Sequence, residues 1–571
     1  MYLLQLKNQI MKTKILFSIF FVTLALISCN NKKENMENEL RKFISRYDSV
    51  AKPLEHDMNL SNWEASVSGK EEDYARSEAM EKKYSQFHSN KDDFKKLEEI
   101  KSSGIIQDTL LQRQLHVLYL RYLTHQADTN LQKEIIEMQT VVEKKYNNFR
   151  AEIKGKKLSD NEIENILSNS SNSKELQEAW EAHKKIGTLV SSDIIALIKK
   201  RNQEARELGF SNYHEMSLKL DDQEPADVEK IFSELDSLTR NSFIKAKSDI
   251  DSFLAARDHI KKEQLMPWHY QNRYFQEAPK IFNIDLDKYF TGKNLEEITS
   301  KYYSGIGTPI EDLIAKSDLY EKPGKNQHAF CTDINNEGDV RVLCNMKSNA
   351  YWMNTMLHEF GHAAYQKYID RKLPYTLRQP AHTFTTEGIA LMFGRFNRNA
   401  QWLQDNVGIS DQEKMKIADA CFKSLRLEQL VFSRWAQVMY HFEKSMYENP
   451  DQDLNKLWWT IVEKYQMIKM PEGRNSPDWA SKIHIATSPC YYHNYLLGEL
   501  FASQLHYYIC SHVLKDTVNY NMVSYFNKPE VGQYLKEKVY GPGMLYYWND
   551  MIERATGEKL TAKYYAKQFV E

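Results

Sequence analysis

Apolar residues recur at three- and four-residue steps, with Lys and Glu between them, from about residue 36 to 260 and again from 349 almost to the end. Amphipathic helices bury such a pattern on one face. Little interrupts it, because 571 residues contain only 20 glycines and 14 prolines. Few positions remain for tight turns and strand boundaries, so the chain is predicted to be all-α. Segments 132–153 and 192–208 show the pattern well, and Asp160-Asn161-Glu162 and Ser171-Asn172-Ser173 read as helix starts or short loops. Pro309 and Pro323-Gly324 mark a break near the middle. Beyond it, Asp339-Val340-Arg341-Val342-Leu343-Cys344 alternates and is β-branched, and reads as one arm of a small hairpin with 328–334. No linker separates autonomous domains, so residues 39–571 are read as a single helical domain.

The N-terminus reads as a targeting segment. Lys12 and Lys14 precede an apolar run over 15–28, which is short for a membrane span. Leu26-Ile27-Ser28-Cys29 resembles a bacterial lipobox. That resemblance implies a signal peptide over residues 1–29, lipidation of Cys29, and an exported lipoprotein of the cell envelope, in the periplasm or at the outer membrane. Its membrane partner would be reached through that lipid anchor. Residues 30–38 read as a polar tether. Export permits disulfides, and Cys331 with Cys344, flanking the hairpin, is the best candidate pair. With 76 basic and 78 acidic side chains the net charge is -2, and no arginine-rich segment stands out. Nucleic acid is therefore not an expected partner.

Chemistry enters with His358-Glu359-Phe360-Gly361-His362. On a helix, residues four apart lie one turn apart on one face. Two imidazoles so placed reach one zinc, each at about 2 Å. Glu359, one position after the first, is placed to act as general base toward the hydrolytic water. Two exposed histidines on a surface helix are the bland alternative. Apolar flanks on both sides of the motif oppose it, since buried imidazoles need partners. Catalytic zinc keeps three protein ligands. Glu387, the one carboxylate in Thr385-Thr386-Glu387-Gly388-Ile389-Ala390-Leu391-Met392-Phe393, lies 25 residues after His362 and supplies the third. One zinc ion per chain is expected, because two imidazoles and a carboxylate suit that metal best.

These residues resemble the gluzincin peptidases, and in particular the angiotensin-converting enzyme family of peptidyl-dipeptidases. The likeness extends to Glu175-Leu-Gln-Glu-Ala-Trp-Glu-Ala-His183, Leu457-Trp458-Trp459, Lys464-Tyr465-Gln466, Lys482-Ile483-His484-Ile485 and Tyr492-His493-Asn494-Tyr495. It runs from about residue 130 to the C-terminus. The resemblance implies a two-lobed helical ellipsoid with a deep central cleft and the hairpin near the zinc helix. It also implies roles. Tyr495 would donate to the tetrahedral oxyanion and His484 would steady the same intermediate. Lys482 and Tyr492 would hold the free C-terminal carboxylate of a peptide substrate, with Gln271 as a third contact. A cation at a set distance from the zinc would act as a ruler for dipeptide release. His328-Ala329, thirty residues before the first ligand, would pair its backbone with an extended peptide.

Departures from the family pattern accompany this. Leu391 stands where the family carries an Asp that orients the first zinc histidine, so another group must orient His358. Asn494 replaces the arginine that binds chloride in the mammalian enzymes. One extra residue separates His484 from Tyr492, so the assignment could slip to Tyr491. Cys331 and Cys344 do not align with the family's hairpin disulfide. Taken alone, Tyr495, Lys482 and His484 would read as core tyrosine, solvated lysine and satisfied core histidine, so their roles rest on the resemblance. The expected activity is release of C-terminal dipeptides. The alternatives are an endopeptidase like thimet oligopeptidase, a metallocarboxypeptidase, and a non-catalytic peptide-binding lipoprotein. An intact Glu359 speaks against the last.

Overall fold

The computed structural model describes residues 2–282, 284–516 and 519–570, with side chains at 11–12 and from 33 onward. Cys29, expected to carry a lipid, and the apolar run over 15–28 lie outside the described side chains. Among the described residues, no helix is long and apolar enough to cross a membrane.

The described chain is all-α apart from two small antiparallel hairpins. Sequence-marked starts become capped helix ends. Ser159 and Glu162 form a reciprocal capping box for the helix Asp160–Asn169, and Asn172 caps the 35-residue helix Ser173–Glu207. The predicted hairpin forms between Phe330–Asp333 and Val340–Leu343, with Cys331 opposite Val342. A second hairpin, Ala151–Ile153 with Lys156–Leu158, cuts short the helical reading of 132–153, whose helix ends at Asn148. Lys154 and Gly155 both take positive φ, at 51° and 79°, as a two-residue hairpin turn requires. The lysine at the first of these turn positions gave no strong signal.

Two sequence expectations are corrected here. Residues 33–38 are not a loose tether but part of the helix Tyr2–Ser68. Met36 packs on the N-terminal core, and Lys33 Nζ donates to Gln107 at 2.7 Å. Cys331 and Cys344 are free thiols. Their positions are diagonal across the ladder rather than opposite. Diagonal pairs lie about 7–8 Å apart, beyond the Cα span that a disulfide bridges.

Helices Tyr2–Ser68, Glu71–His88, Lys91–Ser103 and Thr109–Leu123 bury a core of their own around Leu40, Leu97, Leu118 and Tyr122. A much larger core runs from Val142 to Phe569. Polar ties join them at Asp222, which accepts from Arg113 at 2.8 Å and lies 2.7 Å from His116, and at Glu55. The Glu55 carboxylate accepts from Arg121 at 3.2 Å, from Asn336 in the hairpin turn at 3.0 Å and from Tyr375 at 2.7 Å. Trp63 adds an edge-on contact to Phe330, ring centroids 6.0 Å apart.

At the centre of the larger core, the motif helix Ala350–Lys367 packs on Thr383–Gly394, which packs on His493–Tyr508. Glycines allow the approach. A Cβ on Gly361 would sit 3.0 Å from Ala390 Cα, and one on Gly388 would sit 2.7 Å from Phe501 Cδ1 and 2.9 Å from the Gly498 carbonyl oxygen. The predicted hairpin lies against the motif helix.

Two predictions follow from this packing. Gly388→Ala forces the two helices apart and should lower stability by about 1–3 kcal/mol, measured by urea unfolding; an unchanged midpoint would show that the contact is soft. Glu55→Ala strands three donors and should cost about 3 kcal/mol. Amide exchange should then accelerate over residues 40–122 while the motif helix stays protected. Uniform acceleration would mean that the two cores unfold as one unit.

Candidate metal and peptide site

The motif helix begins at Asn349, whose side chain accepts from the Trp352 N–H. Its position is pinned by the Tyr303 hydroxyl, which donates to the Leu357 carbonyl at 2.6 Å, and by Asn354, which donates to the Gly394 carbonyl at 2.7 Å. His358 and His362 lie one turn apart with ring centroids 4.9 Å apart and planes at 82°. Glu387 comes in from the neighbouring helix with one oxygen 3.7 Å from His358 Nε2 and the other 3.8 Å from His362 Nε2. One donor atom from each of the three lies within 4.8 Å of the others.

These separations are too long for hydrogen bonds and are not salt bridges. Burial drives the His358 pKa down to about 4, and burial with the neighbouring His358 holds His362 well below its ordinary value. Both rings are neutral at pH 7, with lone pairs to give. Burial pushes Glu387 up to about 7, with Glu499 adding to the effect, and pushes Glu359 up to about 8, with Glu387 adding. Two neutral imidazoles facing a carboxylate that lacks a counter-charge form a donor set that fits a divalent cation, zinc above all. His362 Nδ1 lies 2.8 Å from Thr386 Oγ1, which orients that ring. Leu391 offers His358 no such partner. Glu499, which lines the same cavity as His358, is bound to Arg395 and accepts from Gln429 at 3.0 Å.

A second cluster forms where Lys482, His484 and the tyrosines of 491–495 meet. Lys482 is buried, and its ammonium donates to Gln276 Oε1 at 2.7 Å. It stands 5.1 Å from the ring centre of Tyr274 and 5.4 Å from those of Trp435 and Tyr492. Burial, then the charge of Arg273, lowers its pKa to about 7. His484 lies edge-on to Tyr492 at 5.5 Å, and Tyr492 edge-on to Tyr495 at 5.5 Å. Burial and Lys482 keep His484 neutral, with a pKa of about 4, and its Nδ1 is buried without a hydrogen-bond partner among the described residues. Burial raises the Tyr495 pKa and Glu387 raises it further, as both also do for Tyr491. Tyr492, rather than Tyr491, faces Lys482. The loop between His484 and Tyr492 turns at Cys490, in left-handed backbone with φ 56°. The Cys490 N–H donates to buried Glu443 at 2.9 Å.

Gln271 is corrected. Its Nε2 donates to the Ser168 carbonyl at 2.8 Å and its Oε1 accepts from the Lys280 N–H at 3.0 Å, so its side chain braces a loop. The glutamine beside Lys482 is Gln276. Sequence spacing cannot choose between two glutamines five residues apart, because the chain reverses between them, with positive φ at Gln271 and Phe275. His328 is exposed and Ala329 half-buried, just ahead of the strand Phe330–Asp333. Burial and the charge of Glu359 raise the Cys331 and Cys344 thiol pKa values, and both strands of this hairpin pack against the motif helix. Asn494 is engaged: its Oδ1 accepts from Gln223 at 2.7 Å and its Nδ2 donates to Asp221 at 3.3 Å. A network of two amides and the Asp221 carboxylate thus occupies that place.

The family model described as angiotensin-converting enzyme matches residues 34–569. The rat angiotensin-converting enzyme is 22% identical over 380 residues, covering 61% of this chain and 29% of the rat protein. Carboxypeptidase 1 of Bacillus subtilis is 26% identical over 261 residues, covering 42% of this chain and 50% of that protein. Thermostable carboxypeptidase 1 of Pyrococcus furiosus is 20% identical over 262 residues, or 42% of this chain and 51% of its own length. The matched part is thus about half or less of each of these relatives. With nearly its whole length matched by one family model, this chain belongs to the angiotensin-converting enzyme family of peptidases.

Proposed function

We propose that the chain is a zinc peptidase that releases dipeptides from the free C-terminus of oligopeptides. What supports this reading is a run of close groups from buried Lys482 through Tyr492 to Tyr495, whose hydroxyl feels the charge of Glu387 in the His358–His362–Glu387 donor set. His358, His362 and Glu387 would hold the zinc. Bound there, it supplies a Lewis acid that activates water and polarises the scissile carbonyl.

The chain's own groups do the rest. Glu359 takes the proton of the attacking water and returns it to the leaving amine nitrogen. Burial and Glu387 raise its basicity in the metal-free site, and beside a bound divalent cation the same carboxylate would stay ionised, ready to accept that proton. The Tyr495 hydroxyl donates to the oxygen that gains charge, and neutral His484 offers its N–H to the same intermediate. Lys482, Gln276 and Tyr492 receive the substrate carboxylate and fix how much peptide fits between it and the metal. Ala329, ahead of the hairpin strand, offers its backbone to an extended peptide. A second reading, removal of single C-terminal residues, draws on the two relatives named carboxypeptidase 1.

A blocked tripeptide with a free C-terminus separates these readings by mass spectrometry. Release of an intact dipeptide is expected, with turnover falling about 10³-fold or more in Glu359→Ala. Release of one free amino acid would establish the carboxypeptidase reading instead. Cleavage confined to longer or amidated peptides would point to an endopeptidase.

Lys482 sets a pH dependence. It binds a carboxylate only while protonated, and its free-enzyme pKa is about 7. kcat/KM for free-acid peptides should therefore fall as pH rises through about 7, since kcat/KM reports the free enzyme. Amidated peptides, which share Glu359 but not the carboxylate, serve as the control. Identical profiles for the two substrates would remove Lys482 from that role.

A further inference from the structure

A cavity of about 840 Å3 is lined by His358 and Leu391 and by residues from 277–282 and 284–287. Its first wall is the face of the motif helix carrying Ala350, Asn354 and His358. Glu277, which directly follows Gln276, also lines it, and its carboxylate lies 3.5 Å from Gln276 Nε2, while Gln276 Oε1 accepts from Lys482 at 2.7 Å. The cavity is therefore lined by one metal-binding donor, His358, and reaches the carboxylate cluster through Glu277 and Gln276.

Its lining has a definite chemistry. Phe282, Ile284, Leu425 and Leu427 give it apolar walls. Of its charged groups, Arg395 is paired with Glu499 and Arg398 with Glu428. What remains is Glu277, Asp285 and Asp287 against Lys280, an excess of two negative charges. Asp287 is partly committed, since it accepts from the Ala350 N–H at 2.9 Å. Glu277 and Asp285 are exposed. An apolar sleeve with acids at its rim suits a long aliphatic stem ending in a cation.

We propose that this cavity receives the side chain of the substrate's C-terminal residue, and that Glu277 and Asp285 make it selective for lysine and arginine there. The proposal rests on the peptidase reading for its place in catalysis. As a binding pocket it can be tested separately. A residue whose carboxylate lies at Lys482 and Gln276 has its side chain beside Glu277. Acidic C-terminal residues meet the same rim as a repulsion, which sharpens the choice.

The test uses the full chain loaded with zinc and the dipeptides Ala-Arg and Ala-Glu as ligands in isothermal titration calorimetry. In parallel, blocked tripeptides ending in the same dipeptides are assayed for hydrolysis. Ala-Arg should bind about tenfold more tightly than Ala-Glu, as two or three partly screened charge contacts together allow. That ratio should fall toward one in the double variant Glu277→Gln/Asp285→Asn. Both positions are exposed, so the fold should tolerate the change. Equal affinities, a preference for Ala-Glu, or a ratio unmoved by the double variant would each overturn the pocket's selectivity. Tight Ala-Arg binding without hydrolysis of any peptide would uphold the pocket and defeat the peptidase reading. Hydrolysis with no preference between the two tripeptides would do the reverse.

Discussion

Two carboxylates and two imidazoles share one largely apolar space, and no lysine or arginine is paired with them among the described residues. Burial keeps both rings neutral and raises both acids toward neutrality. An arrangement of this kind is costly unless a cation is shared among its members. The remaining structure can be understood as the frame that brings the four groups together. Glycines at 361, 388 and 498 let three helices approach within the reach of short side chains. Tyr303 and Asn354 fix the motif helix by its own backbone or that of its neighbour.

The peptide-binding side obeys a different constraint. Lys482 is buried among aromatic rings with one amide acceptor, so its charge is held by ring faces and by Gln276 rather than by an acid. An acid in direct contact would neutralise the site before a substrate carboxylate arrived. Glu277 acts only from nearby, raising the lysine's proton affinity without pairing with it. The same segment continues along the cavity, which links recognition of the chain end to the side chain next to it.

The N-terminal helices stand somewhat apart, with a core of their own and a polar junction at Glu55. Polar contacts of this kind bind two bodies in one orientation without the bulk of a shared core. One of these helices, Thr109–Leu123, also borders a cavity of about 410 Å3 that reaches Gln366, near the end of the motif helix, and Thr386, the neighbour of His362 Nδ1.

Much of this was legible in the residues. Helical periodicity with few glycines and prolines determined the all-α class, and an alternating β-branched run located one hairpin. The spacing of His358 and His362 singled out a donor pair because an α-helix places residues four apart on one face whatever surrounds it. Local rules sufficed there. They did not reach Gln276, since choosing it over Gln271 depended on a chain reversal through two residues of positive φ. Nor did they reach the separation of Cys331 and Cys344, which depends on ladder register, or the ordered helix over 33–38, which depends on a surface to dock against. Only the tertiary structure decided these, because each is a contact between segments distant in the chain, and a sequence pattern carries the period of an element but not the distance to its neighbour.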